Sequence, residues 1–61
     1  MRNPDRIPEI MNLLTEIWLE VPDLRLCQLL HAAKNQINYP SNDLFYLEDE
    51  DLLNGLKQLG D

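Results

Sequence analysis

"EIWLEVPDLRLCQLL", residues 16–30, decides the fold. Apolar residues reach Val21 at spacings of three and four, stop at Pro22, and restart at Leu24. A residue that precedes proline is pushed out of the α region, so one helix must end near Glu20 and another must begin beyond Pro22. Two amphipathic helices joined by a short link are the nucleus of the expected architecture, and the rest of the chain is read from there.

Upstream, Ile7, Ile10, Met11, Leu14, Ile17, Trp18 and Val21 recur at helical spacing and fill an arc of about 120° at 100° per residue. Asp5 is the expected N-cap, which puts Pro8 in the first turn, where a missing N–H costs little. The first helix is predicted at about residues 6–20. Downstream, Leu26, Leu29, Leu30, Ala33 and Ile37 make a narrower stripe, with Arg25, Gln28, His31 and Asn35 away from it. This second helix is predicted at about 24–37, either capped by Asp23 or preceded by an extended Leu24 to Leu26. Tyr39, Pro40, Ser41 and Asn42 read as a turn.

Leu44, Phe45 and Tyr46 follow, with no partner strand visible elsewhere in the sequence. They are expected to form an ordered apolar loop over the helices, with their rings and that of Trp18 in the core, because so small a domain needs aromatic area. Leu52, Leu53, Leu56 and Leu59 then share one face of a third helix at about 49–59, stopped by Gly60 as the C′ residue. The expectation is one all-α domain over 1–61, a compact three-helix fold with an ordered apolar loop between the second and third helices.

At 61 residues, folding removes only about 60% of the extended chain's surface. Added support from a disulfide is excluded within the chain, since Cys27 is the single cysteine. One Cys and one His cannot complete a structural zinc shell. No apolar run approaches the ~20 residues that span a bilayer, and the N-terminus lacks the apolar stretch of a secretory signal. The expected compartment is the cytoplasm, which suits an unpaired cysteine.

The net charge of −6 is uneven: −2 over residues 1–22, +1 over 23–41 and −5 over 42–61. Such a field repels phosphate backbones, so ordinary nucleic-acid binding is not expected, and a helix-turn-helix reader would find few cations in its second or third helix. The acids Glu48, Asp49, Glu50 and Asp51 suggest a calcium loop, but the spacing fails: counted from Asp49, position five is Leu53 and position six is Asn54 where a glycine is needed. Acids in a first helical turn have a simpler role beside exposed N–H groups.

Catalysis finds no constellation, because an activated nucleophile needs a base and an orienting third group and His31 is the only histidine. His31 falls on the polar face of its helix. Cys27 falls at the edge of the core stripe and is expected to pack as a small apolar residue. No catalytic, metal-binding or cofactor-binding residue is assigned, and no cofactor.

"PEIMNLLTEIWLEVPDLRLCQLLHAAK" together with "DLFYLEDEDLLNGLK" resembles a family of short uncharacterised bacterial and phage-borne proteins, a domain of unknown function. There a helix ending in tryptophan leads into Pro-Asp-Leu-x-Leu-x-x-x-Leu, then a loop, then an acidic start to the last helix. Trp18, Pro22, Asp23, Leu24, Leu26, Leu30 and the acids before Leu52 occupy those positions. The resemblance implies a small helical fold and a bacterial or prophage origin, and no activity or ligand. Enterobacterial members extend well past the last helix, whereas this sequence stops at Asp61, so the role of that extension is expected to be absent.

The function expected from these readings is an acidic helical module that binds a protein partner, not an enzyme. Its expected surface is Asp43, Tyr46, Glu48, Glu50 and Asp51, with Leu19, which falls off the first helix's stripe, as a further contact. The alternative is a phage-type nucleic-acid mimic or counter-defence inhibitor, in which carboxylates stand in for phosphates. Self-association is left open: Ile7, Ile10, Leu14, Ile17 and Val21, spaced 3, 4, 3, 4, would suit a helix–helix seam.

Overall fold

The computed structural model describes residues 3–41 and 43–60. Three helices account for most of them: α1 (Arg6–Glu20), α2 (Leu26–Asn35) and α3 (Asp49–Leu59), with a 3-10 turn at Leu44–Tyr46 before α3. The fold is an all-α three-helix domain. Asn42, assigned to the turn after α2, lies outside the described residues.

α1 has the predicted bounds, but its start is built differently. Asp5 adopts a right-handed helical backbone and its side chain caps nothing. Asn3 takes that part instead: its Oδ1 accepts the Asp5 N–H at 3.0 Å and its carbonyl accepts the Arg6 N–H at 3.3 Å. Pro4 therefore follows the capping residue directly, the place where a fixed φ and a missing N–H suit a helix start.

The link after α1 is a tight turn, closed by the Leu24 N–H on the Val21 carbonyl at 3.1 Å. Trp18 fastens it, since the indole Nε1–H donates to the Leu24 carbonyl at 2.8 Å. α2 is shorter than predicted, because Leu24 and Arg25 stay outside it and Gln36 and Ile37 leave it in a final turn. Asp23 does not cap it. Arg25 holds the cap position with an extended backbone, and its N–H is taken by Gln28 Oε1 at 3.0 Å.

α3 is the central element, packed against both α1 and α2, which make few direct contacts with each other. α1 and α3 run parallel. Arg6 pairs with Asp49 at their N-terminal ends, and Ile17 lies beside Gly60 at their C-terminal ends. Both pairs are 43 residues apart in sequence, a constant register. α2 crosses α3 at Ala33 and Gly55 so closely that a Cβ on Gly55 would overlap the Ala33 carbonyl oxygen and lie 2.9 Å from its carbon. Only glycine lets the backbones approach in this way.

The buried core is small: Leu14 and Ile17 from α1, Leu29 and Ala33 from α2, and Leu56 from α3, with Ile10, Leu13, Trp18, Leu30, Leu52 and Leu59 packed around it. At ~1.5–3 kcal/mol for each fully buried leucine, a core of this size supports a fold only with close packing.

Several expectations are corrected. The buried face of α1 is rotated by about 30° from the predicted stripe, at 100° per residue: Leu13 joins the core, while Ile7, Met11 and Val21 stay exposed. Of the 3, 4, 3, 4 seam, Leu14 and Ile17 are buried and Ile10 packs against the core, while Ile7 and Val21 at its two ends stay exposed. Phe45 and Tyr46 do not tie their loop to the core; they are 83% and 70% exposed, and only the half-buried Leu44 turns inward. Cys27 is exposed. Lys34, read from sequence only as a cation, is 5% exposed, and among the described residues every buried side-chain N or O atom has a hydrogen-bond partner. Gly60 caps α3 in a right-handed conformation, φ −81°, and serves as a place for Ile17 to pack.

Candidate functional site

The parallel register of α1 and α3 brings their N-terminal turns to one end of the molecule. An open cleft of about 480 Å³ lies there, lined by residues of both turns, including Arg6, Glu9, Glu48, Glu50 and Asp51. Arg6 crosses it, its Nε donating to Asp49 Oδ2 at 2.8 Å while Nη1 donates to the Asn3 carbonyl at 3.0 Å. This pair is partly exposed, with side chains 32% and 42% accessible, so it locates the two turns relative to each other more than it stabilises them.

Asp49, Glu50 and Asp51 form the first turn of α3, and Glu48 holds its N-cap position without a side-chain cap bond. The helix N-terminus carries roughly half a positive charge, and α1 begins at the same end, so two dipoles offset part of the acidic cluster. Glu50 and Asp51 are exposed. Their carboxylates are presented to solvent, and the aromatic pair precedes them in the chain.

That pair stands on a braced turn. Asp43 Oδ1 accepts the Phe45 N–H at 2.9 Å, Ser41 Oγ accepts the Asp43 N–H at 3.0 Å, and the Tyr39 hydroxyl donates to the Asp43 carbonyl at 3.3 Å. Phe45 and Tyr46 meet edge to face, ring centroids 5.0 Å apart and planes at 80°, a geometry favoured by the ring quadrupoles. Asp43 therefore shapes the turn, and the exposed rings are its product.

Of the six surface residues expected from sequence, Asp43, Tyr46, Glu48, Glu50 and Asp51 fall within nine residues of the chain at this one end. Leu19 does not join them. It is 73% exposed near the opposite end of α1, about 20 Å from Arg6 at 1.5 Å per residue, where it borders a shallow hollow of about 210 Å³ with Thr15, Trp18 and Pro22. Phe45, equally part of the acidic end, was assigned to the core. The signal that could have placed it outside is the Ser-x-Asp-x-Phe spacing, which builds a hydrogen-bonded turn with little length to fold back.

Among the described residues no group of three or more His, Cys, Asp and Glu side chains is arranged to hold a metal ion. No described helix is long and apolar enough to cross a membrane. No family model matches the chain, and neither a curated protein nor a solved structure does.

Proposed function

We propose that this chain is a small interaction module that binds a protein partner through the end formed by the 3-10 turn and the first turn of α3. The observation that carries the reading is the exposure of Phe45 and Tyr46, 83% and 70%, on a turn braced by three side-chain hydrogen bonds. Aromatic side chains bury about 150–250 Å² each when covered, and in so small a domain that area would serve the core if it could reach it. Aromatic anchors with few rotatable bonds, already held in place, lose little entropy on binding.

The chemistry implies a partner with an apolar pocket rimmed by cations. Phe45 and Tyr46 enter the pocket, while Glu48, Glu50 and Asp51 meet lysines or arginines and supply rate and orientation more than affinity. Asp43 acts from behind, by holding the turn. Leu19 has no place in this contact. The reading keeps the bacterial cytoplasm as compartment, supported by the single free cysteine, and assigns the chain no reaction.

The test is capture of partners from a bacterial lysate by the native protein, by Phe45→Ala/Tyr46→Ala, and by Glu48→Gln/Glu50→Gln/Asp51→Asn. Loss of the same captured protein with both variants supports the reading. A set of captured proteins that neither variant changes overturns it. Adding duplex DNA separates the mimicry alternative, in which DNA displaces the captured protein.

A further inference from the structure

We propose that Asn54 and Gly55 form a site of spontaneous deamidation that the fold holds shut: the Asn54 amide is lost when α3 opens, and its loss hinders α3 from closing again. Of the six asparagines, Asn54 alone precedes a glycine. The others precede Pro4, Leu13, Gln36, Tyr39 and Asp43, which block or crowd the nitrogen that would attack. Asn-Gly is by propensity a turn dipeptide, yet here it lies in the middle of α3. The α2 crossing keeps glycine at position 55, since a Cβ there would overlap the Ala33 carbonyl oxygen. Packing thus imposes on Asn54 the neighbour that leaves its amide most open to attack.

The chemistry is internal and consumes only water. The Gly55 main-chain nitrogen gives its proton to solvent and attacks Asn54 Cγ. The new C–N bond closes a succinimide ring, the bond from Cγ to the amide nitrogen breaks, and ammonia leaves with a proton taken back from solvent. Water then opens the ring at Cγ, giving aspartate, or at the main-chain carbonyl, giving isoaspartate.

Helical α3 prevents the first step. Ring closure requires the Asn54 ψ to leave the helical value of about −42°, and the Gly55 N–H to leave the Asp51 carbonyl that it faces in the ladder. The ladder holds on both sides, with the Leu52 N–H on the Glu48 carbonyl and the Gly60 N–H on the Leu56 carbonyl, both at 3.0 Å. Gly55 is buried against the α2 backbone and cannot swing out alone. Asn54 is exposed, so solvent reaches its amide as soon as the backbone yields. The rate then follows the fraction of molecules in which α3 is open, and a core this small limits the protection to roughly 100- to 4,000-fold. Either product hinders the return. A new carboxylate at position 54 follows Glu50 and Asp51 at the spacing where like charges repel along a helix, and isoaspartate adds a carbon to the main chain where α2 and α3 lie closest.

The test holds the full-length protein at mildly alkaline pH, native or in guanidinium chloride, and follows released ammonia together with peptide mass analysis at position 54. The native rate is expected to lie at least about tenfold below the denatured rate. Asn54→Gln, which closes its larger ring far more slowly and suits a helix better, is expected to remove the ammonia release in guanidinium chloride. The isoaspartyl fraction, separated by chromatography, is expected to have lost the native circular dichroism. A native rate within about tenfold of the denatured one, a release unchanged in Asn54→Gln, or an isoaspartyl fraction that keeps the native spectrum overturns the inference.

Discussion

Gly55→Ala is the substitution on which helix propensity and packing disagree in sign. In an α-helix interior alanine is preferred to glycine by about 1 kcal/mol, so α3 taken alone should gain from the change. In the fold, the new methyl would overlap the Ala33 carbonyl oxygen and lie 2.9 Å from the carbonyl carbon. Both atoms belong to the α2 backbone and cannot rotate aside, so the helices must part. Leu29, Ala33 and Leu56, all fully buried, then lose contact together, and a gap of 0.5–1 Å forfeits about a quarter to a half of the dispersion energy between facing atoms.

Overpacking costs about 1–3 kcal/mol, and a backbone obstacle belongs at the upper end. After the propensity gain, a net loss of ~2 kcal/mol is expected, which for a domain of this size lowers Tm by roughly 8–16 °C. Thermal and urea unfolding followed by far-ultraviolet circular dichroism measure it, with Gly60→Ala as the control. There the added methyl meets the movable end of Ile17, 3.3 Å from Cδ1, and stability should stay within about 0.5 kcal/mol. Unchanged or raised stability of Gly55→Ala would refute the close crossing of α2 and α3.

Other perturbations probe the remaining elements. Trp18→Phe removes the indole donor to the Leu24 carbonyl and should cost about 1 kcal/mol, read as a lower Tm; an unchanged Tm would mean that the link is held by other contacts. Asp49→Asn breaks the partly exposed pair with Arg6 and should cost only ~0.2–1 kcal/mol. Because salt screens accessible charges, that difference should shrink as sodium chloride is raised; a constant difference would argue against an ion pair. Phe45→Ala and Tyr46→Ala should leave stability within about 0.5 kcal/mol, whereas a large loss would return the rings to the core.

The helices were legible wherever punctuation and periodicity agreed. α1 and α3 lie at the predicted bounds, because Pro22 ends one and a run of acids before leucines opens the other. α2 was read too long, since Leu24 and Ile37 keep its apolar spacing although the backbone at those positions is turn. The choice of which apolar residues are buried was less legible. α1 carries a wider apolar arc than α3 can cover, and spacing alone does not say which edge of that arc is left out. The same ambiguity took Phe45 and Tyr46 into the core, where composition favours them but a short braced turn does not deliver them. Gly55 illustrates the opposite case: a residue that weakens a helix by propensity marks the site of tightest packing. At the acidic end, sequence proximity grouped Asp43, Tyr46, Glu48, Glu50 and Asp51, while the parallel register that adds Arg6 and Glu9 from α1 is a tertiary fact with no local signal.

The central position of α3 has a consequence for how the molecule comes into being. Translation proceeds from the N-terminus, so α1 and α2 leave the ribosome before the helix that both of them pack on. With few contacts between them, an emerging chain that ends before residue 49 has no core to close around, and its leucines wait for a surface. The contacts of α1 with α3 span 43 residues of sequence, and such distant pairings slow folding relative to a bundle of sequential hairpins. Folding of this domain therefore waits until the last turn of α3 has cleared the exit tunnel.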